Sequence, residues 1–167
     1  MELVKPCKEY ADQWWKALRE FEDEGLNGFW NSPEKPIDID SYIKRVEDYE
    51  KGINQPEGYV PSSTFWLIDD GKFIGHLNLR HELNDRLNKI GGHIGYYLRR
   101  KFRGKGYGTK MLSLSLFEAR NLGLKRVLLT TDEWNIASQR VMEKNGGEYQ
   151  DTIEFEGHKL MRYWIDL

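Results

Sequence analysis

The chain has a single cysteine, Cys7, so it cannot form an internal disulfide. That excludes a disulfide-stapled secreted scaffold and makes a reducing, cytoplasmic location the expectation. Its four histidines and one cysteine nowhere fall at zinc-ligand spacing, so no metal site is expected. Long apolar runs are also missing: mean hydropathy is −0.73, and nothing approaches the ~18 apolar residues a membrane span needs. The stretch from Met1 to Tyr10 lacks the apolar core of a secretory signal, so none is expected. Nor is there an excess of charge of one sign. Lys and Arg number 25 against 27 Asp and Glu, which leaves a net charge of −2 and a pI near 6.1. Such a chain is no general binder of polyanions. No repeat, low-complexity tract or long linker divides it.

What is present suits one globular domain over residues 1–167. At 19.8 kDa a folded monomer buries about 70% of its unfolded surface, enough for a core without staples. Hydrophobic residues make up 39% and aromatic residues 13%, which excludes a disordered tail.

Leu3 to Pro6 reads as a short strand that the proline stops. Tyr10, Trp14, Leu18 and Phe21 recur at spacings of three and four, which predicts an amphipathic helix over Lys8 to Phe21. A Gly/Pro/Asn-rich loop from Asn27 to Pro36 follows, then a second helix from Asp38 to Tyr49 with acidic residues at its start. From Thr64 the period shortens. Thr64–Ile68 and Phe73–Leu79 flank the turn signal Asp69-Asp-Gly-Lys72, a hairpin. His93–Leu98 is a further strand, Tyr107–Leu122 a helix closed by Gly123, and Val127–Thr131 a buried strand. A helix over Asn135–Lys144 and strands near Glu148–Phe155 and Lys159–Ile165 complete the order β-α-α-β-β-β-α-β-α-β-β. That is an α/β protein, a mixed sheet flanked by helices.

The chemistry concentrates where the fourth strand leads into the third helix, in Ile94-Gly-Tyr-Tyr-Leu-Arg-Arg-Lys-Phe-Arg-Gly-Lys-Gly-Tyr-Gly-Thr-Lys-Met111. A strand runs into a basic, glycine-rich loop, and a helix begins. Gly104, Gly106 and Gly108 allow close approach of backbone to a ligand. The unpaired N–H groups of the helix start and the helix dipole favour a phosphate. Arg99, Arg100, Lys101, Arg103 and Lys105 supply countercharge. The glycines do not follow the dinucleotide fingerprint G-x-G-x-x-G, and Gly108-Thr-Lys reverses the end of a Walker A loop. A solvated basic turn is the plain alternative. A nucleic-acid module is disfavoured, because no aromatic platform accompanies the basic run.

Arg103-x-x-Gly106-x-Gly108 matches the [QR]-x-x-G-x-[GA] signature of the GNAT N-acetyltransferase superfamily, and Asn135-Ile-Ala-Ser138 through Glu143-Lys-Asn-Gly146 resembles that family's next segment. The resemblance runs over the whole element order. It implies a GNAT-like twisted sheet with acetyl-CoA as co-substrate, seated where the fourth and fifth strands splay apart. It implies that the backbone of Tyr97, Leu98 and Arg99 pairs with the pantetheine arm. Amides from Arg103 through Gly104, Lys105, Gly106, Tyr107 and Gly108 to Thr109 would hold the pyrophosphate, with Asn135 and Ser138 lining the pantetheine wall. Where the family often carries a proton-donating Tyr, this chain has Met142, which cannot donate. The implied activity is acetyl transfer to a primary amine in a ternary complex. The alternative is a CoA-binding sensor of the same fold without turnover.

A primary amine is neutral in only roughly one molecule in two thousand at pH 7, so a base would help. His93 and Glu82 are the candidates, with His81 and Asp132 behind them. A core histidine held by backbone is the plain reading of His93, a solvated strand end that of Glu82, and a helix cap that of Asp132. Trp14, Trp15, Phe29 and Trp30 are candidates either for an acceptor pocket or for core, and Asn78 and Arg80 for the acceptor site. Cys7 reads as a structural or surface thiol. The acceptor is a small molecule or a peptide amine. The exposed sheet edge near the C-terminus leaves monomer and homodimer both open.

Overall fold

The computed structural model describes residues 1–26 and 38–167, so the expected loop and the candidates Phe29 and Trp30 lie outside the described residues. The elements are β1 (Glu2–Val4), α1 (Ala11–Asp23), α2 (Ile39–Glu50), β2 (Ser62–Asp69), β3 (Lys72–Arg80), β4 (Ile94–Leu98), α3 (Tyr107–Asn121), β5 (Arg126–Asp132), α4 (Ile136–Lys144), β6 (Glu148–Phe155) and β7 (His158–Asp166). Single 3₁₀ turns at Lys8–Tyr10 and Arg100–Phe102 precede α1 and α3. The helix read from Lys8 therefore begins in a 3₁₀ turn and continues to Asp23.

Local chemistry explains the punctuation. Asp70 (φ 48°) and Gly71 (φ 67°) are both left-handed and close the β2–β3 hairpin, the conformation an Asp-Gly pair favours. Asp38 caps α2 by accepting from the Ser41 N–H at 2.9 Å. Gly123 (φ 82°) follows the end of α3.

The strands form two antiparallel sheets, ordered β1-β2-β3-β4 and β5-β7-β6. The expected sheet is thus divided, and the division falls between the fourth and fifth strands. There, two sheet edges face each other. They meet at one joint: the His93 N–H donates to Leu128 O (2.7 Å), and the Leu128 N–H donates to His93 Nδ1 (2.9 Å). Toward the C-terminal ends of β4 and β5 no ladder joins them.

The first sheet is covered on both faces. Leu77, Leu79 and Ile94 pack with Met111, Leu112 and Leu116 of α3 and with Val127 and Leu129 of β5. On the opposite face Trp66, Ile68 and Phe73 pack with Trp14, Ala17 and Phe21 of α1 and with Tyr42 and Val46 of α2. Trp14 therefore belongs to the core, and Trp15 packs partly buried against it. Among the described residues no helix is long and apolar enough to cross a membrane, and no group of His, Cys, Asp and Glu could hold a metal ion.

Candidate functional site

The opening between β4 and β5 is lined at its wide end by the start of α3. Gly106, the residue before the helix, is left-handed (φ 85°) and no side chain caps the first turn. The first-turn N–H groups of α3 therefore lack intrahelical acceptors and point outward. Gly104 is also left-handed (φ 72°), and a Cβ at either glycine would meet nothing within 4 Å. Both are exposed and border open space. That is the geometry of a phosphate cradle: donors, a positive dipole end and no side chain in the way.

Gly108 has a different task. It is buried, and a Cβ there would lie 3.2 Å from Val141 Cγ2, 3.5 Å from Leu98 Cδ1 and 3.8 Å from Tyr96 Cε2. It lets α3 press against α4 and β4, which corrects the expectation that all three glycines serve ligand approach.

The cations of the loop divide in the same way. Arg99 is buried, with Nε 2.9 Å and Nη2 2.5 Å from the Glu20 carboxylate of α1, and with Nη1 3.3 Å from Phe73 O. The Arg99 guanidinium holds the Glu20 carboxyl below its ordinary range. Arg103 donates to Leu98 O (3.0 Å) and to both oxygens of Glu24 (2.6 and 3.2 Å). These two arginines tie the loop to α1, so their charge is already balanced. Arg100, Lys101 and Lys105 are exposed. Tyr107, whose amide opens α3, donates its hydroxyl to Asp69 at 3.0 Å and anchors the helix start to β2.

β4 bonds β3 along one edge, with Gly75 opposite Leu98 and His76 opposite Tyr97. Its other edge has no strand, so the backbone of Tyr97 and Leu98 borders the opening, although Leu98 O is already taken by Arg103. Across the opening, Asn135 caps α4 by accepting from the Ser138 N–H at 3.2 Å. Its oxygen is thereby committed, and its NH₂ is the group left for a ligand. Asp132 is not the cap expected of it; it pairs with His158 Nδ1 at 2.9 Å. Thr109 O accepts from Asn145, which fastens α3 to the end of α4.

His93 does not fit the role of base. Its Nδ1 accepts from the Leu128 N–H, so in the neutral ring the proton sits on Nε2 and no lone pair is left. Burial, with nearby Arg80 adding to it, pushes its pKa down to about 4. The imidazole is part of the joint between the sheets. Glu82 lies exposed beyond β3. His81 Nε2 is 2.9 Å from Ser63 Oγ, which donates to Glu50 at 2.5 Å, and Glu50 pairs with Lys5 at 2.5 Å.

Two residues passed over in the sequence stand out here. His76 lies opposite Trp66, as Asn78 lies opposite Thr64 and Arg80 opposite Ser62, so these polar residues share the sheet face covered by α1 and α2. All five of the polar ones are buried. Arg80 is held by Gly91 O and Gly92 O at 3.3 and 2.8 Å. Burial pushes the His76 pKa down to about 4. The signal was legible as His76, Asn78 and Arg80 alternating with Leu77 and Leu79. Tyr96 is the second: its hydroxyl is buried without a hydrogen-bond partner.

A family model described as an acetyltransferase (GNAT) domain matches residues 2–148. Among solved structures, the microcin self-immunity acetyltransferase MccE, in complex with acetyl-CoA and AMP, is 18% identical, covers 99% of this chain and 91% of its own, and superposes with a TM-score of 0.68. The ribosomal-protein alpha-N-acetyltransferase RimL in complex with coenzyme A is 16% identical over 100% of this chain and 95% of that one, with a TM-score of 0.68. The acetyltransferase yncA from Salmonella typhimurium with acetyl-CoA is 16% identical over 99% and 94%, with a TM-score of 0.64. No curated protein is significantly similar in sequence. At these identities the structures speak for the fold, and the family model for the kinship. Matched over most of its length, this chain belongs to the GNAT acetyltransferase family.

Proposed function

We propose that the protein transfers the acetyl group of acetyl-CoA to a primary amine by direct attack in a ternary complex. The observation that carries this reading is the uncapped start of α3, with Gly104 and Gly106 open to solvent, set at the mouth of the gap between β4 and β5. The amides from Arg103 to Thr109 would bind the pyrophosphate. The free edge at Tyr97 and Leu98 would take the pantetheine arm as an added strand, with Arg103 giving up Leu98 O. The Asn135 NH₂ and the Ser138 hydroxyl would line the facing wall. Arg99 serves by holding the loop on α1.

The acceptor would approach from the α1–α2 side, where Asn78 and Arg80 lie. The likeness to RimL, named for acetylating a ribosomal protein at its α-amine, supports a peptide or small-molecule amine as the class. With the Nδ1 of His93 committed, Glu82 acting through water is the proposed base. The thioester supplies the activated acetyl group; the chain orients it and excludes water.

Calorimetric titration should give an acetyl-CoA dissociation constant of about micromolar order. Absence of binding up to about 1 mM overturns the reading. A panel of amines, followed by release of CoA thiol, then separates turnover from the binding-only alternative. Gly106→Val should weaken acetyl-CoA binding about tenfold or more, because its side chain would enter the open space at the helix start. Glu82→Gln should lower kcat/KM by roughly 10²-fold with acetyl-CoA affinity unchanged.

A further inference from the structure

Leu98 closes β4, and the way it faces decides what its backbone can do. The next residue, Arg99, turns its N–H onto Ile74 O of β3 at 3.0 Å. Backbone groups alternate between the two edges of an antiparallel strand, so Leu98 presents its N–H and C=O to the opening. An extended ligand chain would pair there. That carbonyl is taken, because Arg103 Nε lies 3.0 Å from Leu98 O and donates to it. The Nε–H does for Leu98 what the N–H of an added strand would do. The same guanidinium is held from its other side, with Nη1 2.6 Å and Nη2 3.2 Å from the Glu24 carboxylate. A planar fork gripped by two oxygens has one orientation, so Glu24 aims Nε at the strand edge.

Glu24 stands where the helix dipole does not want a carboxylate. It is the C-cap of α1, after Glu20, Glu22 and Asp23 in a last turn that holds no basic residue. The C-terminal end of a helix favours cations, so these acids oppose the helix they end. Two of them are answered from the loop before α3: Glu20 by Arg99 and Glu24 by Arg103. The two pairs are not equivalent. Arg99 sends its further donor to Phe73 O of β3 at 3.3 Å, whereas Arg103 sends its own to the β4 edge. The Arg99 side chain is 9% exposed and that of Arg103 41%. The first pair fastens the loop; the second can open.

From this arrangement we infer that Glu24 is a positioning residue for the cofactor: through the Arg103 fork it keeps Leu98 O occupied, and the pantetheine arm gains that carbonyl only as the fork lets go. The inference rests on the acetyl-CoA reading above. Ligand and ion pair then compete for one arrangement of the loop, so weakening the pair strengthens the ligand. The gain is confined to ligands that carry the amide-bearing arm. A ligand that meets only the amides of the helix start does not feel Leu98 O.

The test uses the whole chain and two probes, CoA and adenosine 3′,5′-bisphosphate, the nucleotide end of CoA without its arm. In calorimetric titrations Glu24→Gln should bind CoA about threefold more tightly than the wild type, the scale of an exposed ion pair. It should bind the bisphosphate as the wild type does, so the ratio of the two affinities is the readout. A merely structural Glu24 leaves that ratio where it was, which overturns the inference. An equal gain for both probes overturns it too, because the freed Arg103 would then be acting by charge on the phosphates. Glu20→Gln loosens Arg99 without touching the carbonyl and should not move the ratio; the same rise there removes the assignment to Glu24. In the wild type alone, NMR of the arginine side chains should show the Arg103 Nε–H exchanging faster with CoA bound, and not with the bisphosphate. An Nε–H equally protected with CoA overturns the inference without any variant. If CoA does not bind the wild type, it is the acetyl-CoA reading that fails, and this inference falls with it.

Discussion

Both faces of the first sheet are buried under helices, but they are chemically unlike. Toward α3 the wall is mostly aliphatic: Leu77, Leu79, Ile94 and Leu112 fill it, with the Tyr96 ring packed against it. Toward α1 and α2 it is aromatic and polar. Trp14, Tyr42 and Trp66 stack there, with ring centroids of Trp14 at 4.2 Å from Tyr42 and 5.3 Å from Trp66. Trp14 Nε1, Trp66 Nε1 and Tyr42 Oη are buried without hydrogen-bond partners, and His76, Asn78 and Arg80 share that face. Stability alone favours the first kind of wall, because each unsatisfied group costs desolvation. The second kind keeps polar groups inside the packing at a desolvation cost that packing alone does not require. One face holds the α3 start in place; the other carries the buried polar residues.

The joint between the sheets gives the largest expected effect. A Cβ at Gly92 (φ 59°) would sit 2.2 Å from Leu128 O and 3.1 Å from Leu129 Cα, both backbone. Gly92→Ala should therefore cost more than about 4 kcal/mol, or abolish folding, in chemical denaturation. Near-wild-type stability would mean the sheets are not fastened there.

A paired measurement sharpens the contrast of the two faces. Leu77→Ala on the aliphatic side should lose about 2–5 kcal/mol, the range for a fully buried leucine. Trp66→Phe on the other side removes an N–H that has no partner and should cost less than about 2 kcal/mol. Equal losses would erase the distinction.

Acid comes next, through His76 and His93, whose folded pKa values of about 4 lie below the ordinary value. Between roughly pH 6.5 and 4 the unfolded chain binds more protons than the folded one, so stability is full above that window and falls as pH drops through it. Each histidine contributes at most roughly 3 kcal/mol to that fall. His93→Gln keeps an acceptor for the Leu128 N–H and should flatten part of the loss, read from denaturation midpoints at pH 7 and 4.5. An unchanged slope would place the effect on His76 alone.

The smallest effects concern the two struts from α1. Glu20→Gln leaves the Arg99 guanidinium, 9% exposed, with a weaker partner and should cost about 1–3 kcal/mol. Glu24→Gln acts on the more exposed Arg103 and should stay below about 1 kcal/mol. The reverse order would show that the loop is held at Arg103.

Much of the fold was legible because its signals are local. The hairpin at Asp70-Gly71 and the stop at Gly123 each depend on a few neighbouring residues, and each stands where the sequence points. The glycine loop before α3 was legible as a feature for the same reason: its glycines and the helix start are adjacent in the chain. The site's roles were less so. His93 has a suitable intrinsic pKa, yet its ring serves a backbone N–H 35 residues away. Asp132 stands at capping distance in sequence, yet His158 claims it.

By itself the sequence determined the order and ends of the elements, the glycine loop before α3 and the kinship that loop announces, since all of these are written in short-range spacing. Only the tertiary structure decided which cations remain for a ligand. Arg99 and Arg103 find Glu20 and Glu24, each 79 residues earlier in the chain, because α1 lies alongside the loop. It also divided the sheet at the joint of His93 and Leu128. Such pairings depend on how helices pack across a sheet, and no periodicity along the chain encodes that distance.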